Sequence, residues 1–138
     1  MMEVIRDLAG FRSPRFAPVL PEERQVNPGV YGAELAFWLC TRLYEHRGLA
    51  TSYPGAEDWG WLLGWSTVDG DRFALHCGNV DGTSDRWLVS LRRFGRGWLG
   101  REVPDFARAA GLARAVRELL EAEPTVTELE WLFDDACG

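Results

Sequence analysis

Alternation of apolar and polar residues dominates the middle of the chain. Over residues 59–66, Trp59, Trp61, Leu63 and Trp65 fall on one side of a two-residue period, with Gly60, Leu62, Gly64 and Ser66 on the other. A half-buried strand has that period. Asp69-Gly70 follows as a tight-hairpin pair. Residues 72–78 alternate again, with Phe73, Leu75 and Cys77 on one face, and 86–93 carry Trp87, Val89 and Leu91 in the same way. Such runs joined by short polar turns predict an antiparallel meander. A short strand over 50–53, ended by Pro54-Gly55, is expected ahead of it. A last strand is expected over 125–132, although Val126 does not share a face with Leu129 and Trp131, which leaves its register open.

Helical spacing appears on both sides of the meander. Val4, Ile5 and Leu8 before Gly10 predict a short helix over 2–9. Pro14, Pro18 and Pro21 then read as an extended arm, anchored by Phe16, Val19 and Leu20, because proline fixes φ and removes a donor. Asn27-Pro28 has the chemistry of a helix start. Leu35, Leu39 and Leu43 form an i, i+4 stripe beside Trp38, and Gly48 closes the helix after His46 and Arg47. A second main helix is predicted over 105–122, with Asp105 at its start and Ala109, Leu112, Ala113, Val116 and Leu120 on its buried face. Pro124 stops it. The expected fold is α+β: an antiparallel meander of about four to five strands packed against two main helices. It forms one domain over 1–138, with 1–26 as a short helix and Pro-rich arm.

Composition narrows the function classes. At 138 residues the chain can build a core without disulfides or metal. All 15 basic residues are arginine, which excludes a Schiff-base lysine and a P-loop lysine. The net charge of −6 disfavours general nucleic-acid binding. Cys40, Cys77 and Cys137 form no CxxC pair, so a reducing cytoplasm is expected. Neither a signal-peptide core nor an apolar run of membrane-helix length occurs.

The sharpest candidate chemistry lies in residues 54–61. Glu57 and Asp58 adjoin Trp59 and Trp61, a pattern that suits stacking plus recognition of a polar group. The competing reading is a solvated turn followed by core tryptophans. His76 lies on a predicted strand, opposite the Phe73, Leu75 and Cys77 face. It has no HxH, HxxxH or CxxC neighbour, so no metal is expected, and Cys77 points to the opposite face from it. The polar loop 79–85 fails the calcium-loop spacing. The glycine run 95–100 opens no helix of phosphate-cradling kind. GxSxG, GxGxxG and P-loop motifs are absent, and no cofactor is expected.

Charge is segregated. Residues 86–101 hold Arg86, Arg92, Arg93, Arg96 and Arg101 with Phe94 and Trp98 among them, and no acid; residues 118–138 hold seven acids and no arginine. The two regions are expected to complement each other within the fold or across a dimer, or the basic one to recognise another protein, for which Arg and Trp are common anchors.

Asn27-Pro28-Gly29-Val30-Tyr31-Gly32 before an amphipathic helix, and Glu57-Asp58-Trp59-Gly60-Trp61 opening a strand, resemble features of small uncharacterised bacterial proteins. The resemblance implies no activity and no functional residue. Size and acidity alone are also shared with secretion chaperones and immunity proteins. The leading expectation is a small, acidic, non-catalytic bacterial module that binds a protein partner, or itself as a homodimer, through Glu57, Asp58, Trp59, Trp61, Arg92, Arg93, Arg96 and Trp98. The alternative is a small-molecule-binding domain or enzyme, with Glu57, Asp58 and His76 around an aromatic pocket.

Overall fold

The computed structural model describes residues 4–19, 21, 29–94 and 103–133. The alternating runs become β3 (Gly60–Ser66), β4 (Arg72–Asn79) and β5 (Arg86–Arg93), antiparallel and in register through Leu63, Leu75 and Leu91. Leu63, Phe73, Leu75, Cys77, Trp87, Val89 and Leu91 point to one buried face. Two helices cover it. In α1 (Ala33–Arg47) the predicted stripe Leu35, Leu39 and Leu43 is fully buried. In α2 (Ala110–Ala122) Leu112, Ala113, Val116 and Leu120 are buried in the same cluster. Burying one such leucine contributes roughly 1.5–3 kcal/mol, so this cluster is the main favourable term in folding.

The sheet has six strands, in the order β2-β3-β4-β5-β1-β6, every pair antiparallel. The N-terminal segment is a strand, β1 (Ile5–Arg12), where local spacing suggests a helix. A bulge between Asp7 and Ala9 buries both Leu8 and Ala9, and that break in the two-residue period imitates helical spacing. Pairing with β5 on one side and β6 (Thr127–Trp131) on the other satisfies its backbone and overrides the local pattern. A register shift between Gly10 and Arg12, with Glu128 at φ +52°, also resolves the mismatched faces of Val126 and Leu129.

The predicted strand over 50–53 does not form. β2 (Gly55–Glu57) stands there instead, beyond Pro54. Ser52 joins the edge of β3 differently: its N–H donates to the Gly64 carbonyl and its Oγ accepts from the Gly64 N–H, both at 2.8 Å. A side-chain oxygen thus replaces one ladder acceptor.

α1 begins at Gly32, not at Asn27-Pro28, which lie outside the described residues. Residues 29–32 are not helical. They are held by Asn79, whose Oδ1 accepts from the Tyr31 N–H at 2.9 Å and whose Nδ2 donates to the Gly29 carbonyl at 2.9 Å. Gly48 closes α1 in the left-handed region, its N–H reaching the Tyr44 carbonyl. A 3-10 turn, Phe106–Ala109, precedes α2, and Asp105 caps it by accepting from the Ala107 N–H.

Instead of an extended arm, Pro14–Phe16 is a 3-10 turn capped by Ser13. Phe16 is buried against Phe11, Trp38 and Trp87, as its role as an anchor requires. Val19 is exposed and anchors nothing; Leu20 lies outside the described residues.

Glu118, Glu123 and Glu128 of the acidic 118–138 stretch pair with residues outside the 86–101 segment. Glu128 pairs with Arg12 at 3.2 Å, Glu123 with Arg15 at 3.3 Å, and Glu118 with Arg47 and His46. Cys40 and Cys77 are free thiols. Among the described residues no helix is long and apolar enough to cross a membrane.

Candidate functional site

Both helices pack on the inner face of the sheet, so the chemistry on offer lies on the outer one. Strand register assembles it in rows. Leu62, His76, Ser90 and Asp7 are successive partners across β3, β4, β5 and β1. The next row is Gly64, Ala74, Arg92 and Ile5.

His76 is held by glycines. Gly60 has φ +153°, and a Cβ there would lie 2.5 Å from the Cys77 carbonyl oxygen and 2.8 Å from His76 Nε2. Only glycine allows the turn before β3 to close this tightly on the imidazole. That turn also swings Trp59 out of the row formed by Trp61, Leu63 and Trp65. Trp59 is 49% exposed, and its ring lies 6.0 Å from the His76 ring. His76 Nε2 is buried without a hydrogen-bond partner. Burial lowers the imidazole pKa below its ordinary value. The Trp59 backbone and the Glu57 carboxylate oppose that shift; Arg92 reinforces it.

Glu57, Trp59 and His76 therefore come together, and Arg92 lies one row away. Asp58 is exposed on the adjoining turn. Trp61 does not join them: it points to the inner face, partly buried against the core. Arg93 is one residue out of phase with Arg92 and turns inward, where it donates to the Pro104 carbonyl at 3.1 Å and lies 4.3 Å from the Phe106 ring centroid. Arg96 and Trp98 lie outside the described residues.

Sequence reasoning missed Asp7, Arg72 and Ser90, and gave Phe94 no role of its own. Parity with His76 on β4 was the available signal for Arg72 and Ala74. Arg72 and Arg92 both approach Phe94, with their guanidinium carbons 5.4 and 5.1 Å from its centroid. Beside them is a groove of about 600 Å³ at the edge of the sheet, lined by Ser52, Tyr53, Leu62, Gly64, Ala74 and Phe94 among others. Ser52 occupies the space over Gly64. A second groove of about 640 Å³, at the end of the sheet, contains Trp65, Val68 and Arg108. Arg108 there is neutralised by Asp69 and Asp71.

The polar groups do not form a nucleophilic triad. Ser90 lies between the other two and donates to Asp7 Oδ1 at 2.8 Å, so its proton faces a carboxylate and not an imidazole. Cys77 faces the core, and burial pushes its thiol up to about 12. Among the described residues no group of three or more His, Cys, Asp or Glu is placed to hold a metal ion.

No family model matches the chain, and no curated protein or solved structure matches it significantly.

Proposed function

We propose that the protein is a cytoplasmic binding module that takes a small molecule in a groove at the edge of its sheet. The observation that carries this reading is the groove of about 600 Å³ beside Gly64 and Ala74, a size typical of ligand pockets. Its surroundings support it. Aromatic Tyr53 and Phe94, small Gly55 and Ser66, and the cationic Arg72 all line it. The free thiols of Cys40 and Cys77 fit a reducing compartment.

A protein partner is the second reading. It is favoured by Tyr53 and Trp59, two large exposed aromatics that flank the short edge strand β2. Aromatic and arginine side chains are frequent anchors of such interfaces.

A thermal-shift screen of a small-molecule library separates them. Compounds that raise the melting temperature of the wild type should lose that effect in Gly55→Phe and in Leu62→Trp, which both fill the groove, and keep it in Val68→Ser, which alters the other groove. Stabilising compounds that ignore both filling substitutions would contradict the small-molecule reading.

A further inference from the structure

His76 is shut away from water by very little. It stands on the sheet face opposite the helices, yet its Nε2 atom is buried and has no hydrogen-bond partner among the described residues. What covers the ring is the backbone of residues 59 and 60. A Cβ on Gly60 would lie 2.8 Å from Nε2. A Cβ on Gly78 would lie 3.3 Å from Cε1 of the same ring and 3.1 Å from the Trp59 carbonyl oxygen. The Trp59 ring adds its own cover, 6.0 Å away.

The covering segment is lightly held. β2 has three residues, all exposed, and among the described residues only β3 lies beside it. Its partners there are Gly60, Trp61 and Leu62. Firm anchors stand just outside. Upstream, Pro54 is buried and Ser52 makes two hydrogen bonds of 2.8 Å with Gly64. Downstream, Trp61 packs partly against the core and Leu63 is fully buried. A short stretch with few buried contacts between two anchors opens locally at low cost.

Charge sets the condition for opening. With the segment closed, burial opposes the protonated ring, and Arg92 on β5 adds to that opposition. The Trp59 backbone, Glu57 on β2 and Asp7 on β1 favour the protonated ring without prevailing. β3 contributes no titratable group, and Asp58 is exposed in the turn. Lifting residues 55–60 returns the ring to water and to its ordinary value of 6.5. The open form therefore holds the proton more tightly than the closed one, and proton uptake favours opening.

We propose that residues 55–60 form an acid-released flap: a proton on His76 lifts β2 and its turn from β3 and β4 and carries Glu57 and Trp59 away from the ring. Gly55 lines the groove of about 600 Å³, so the open form also loses part of that wall. The flap itself needs no ligand, and its failure would leave the groove reading intact.

The test is amide hydrogen exchange on the intact chain between pH 7.5 and 5.5, resolved by NMR and divided by the rate of an unstructured peptide at the same pH. Protected amides within 55–60 should exchange at least roughly a hundredfold faster than those of Leu75 and Leu91, which marks a local opening. Their protection should fall below pH 6.5, by up to about tenfold per pH unit. In His76→Gln that fall should vanish. Protection within 55–60 that is level with pH in wild type, that falls equally in His76→Gln, or that equals that of Leu75 and Leu91 would overturn the flap. Gly60→Ala gives a second check, because its methyl keeps the turn off the ring. The ring-proton shifts of His76 should then titrate nearer 6.5 than in wild type; the same midpoint in both proteins would also overturn it.

Discussion

At the scale of single residues, the outer face depends on where a side chain is missing. Gly60→Ala would drive a methyl into the Cys77 carbonyl and His76 at a φ that other residues rarely adopt. A loss of about 2–3 kcal/mol is expected in denaturant unfolding. Gly111 of α2 meets nothing within 4 Å, and Gly111→Ala should stabilise by roughly 0.5–1 kcal/mol. His76 gives the surface a pH dependence. Its pKa in the fold lies below the ordinary 6.5, so below that pH the unfolded chain binds more protons than the native one. Stability is then complete above 6.5 and falls as the pH drops towards the folded value. Urea midpoints measured between pH 7.5 and 5.5 should fall more steeply for wild type than for His76→Gln; parallel curves would remove His76 from this role.

At the scale of elements, the link to be tested joins the N-terminal turn to the far end of α2. Ser13 and Thr125 hydroxyls meet at 2.8 Å, the Trp87 indole N–H donates to the Ser13 carbonyl at 3.0 Å, and Arg15 reaches Glu123. Burial alone would raise the Glu123 pKa, but hydrogen bonds from Thr125 and the charge of Arg15 outweigh it and hold the carboxyl below its ordinary 4.5. Its contribution is therefore present above pH 4.5 and lost as the pH falls through the folded value. Glu123→Gln should be less stable than wild type at pH 6, with the two converging as the pH drops below 4.5. Phe16→Ala, which empties the aromatic nest beneath this turn, should cost about 3–5 kcal/mol. The elements readable from sequence were those whose period stays intact: β3, β4, β5 and the buried stripes of α1 and α2. β1 was hidden by its bulge, β2 by the proline and serine that precede it, and the start of α1 by an Asn79 side chain that holds residues 29–32 from a distance. None of those three devices leaves a local pattern.

At the scale of the whole molecule, β1 extends the meander by pairing with β5, and this adds to the rows of the outer face. It brings Asp7 beside Ser90 and completes the rows that carry His76 and Arg92. Glu57, Trp59, His76 and Arg92 were visible in the sequence as chemistry-bearing residues. Their convergence was not, because it depends on the register of the successive strands β2 to β5. The same register removes Trp61 and Arg93 to the inner face. It also places Arg72 and Arg92 beside Phe94, while Glu128, Glu123 and Glu118 pair with Arg12, Arg15 and Arg47. Ligand binding is thus expected to concentrate on one face of the sheet. The most direct measurement is amide chemical-shift mapping of the intact protein against a mixture of small aromatic fragments. Shifts clustered at Leu62, Gly64, Ala74, His76, Arg92 and Phe94 are expected; shifts clustered at Leu49, Thr67 and Arg108, or confined to the helices, would contradict the assignment of the outer face as the working surface.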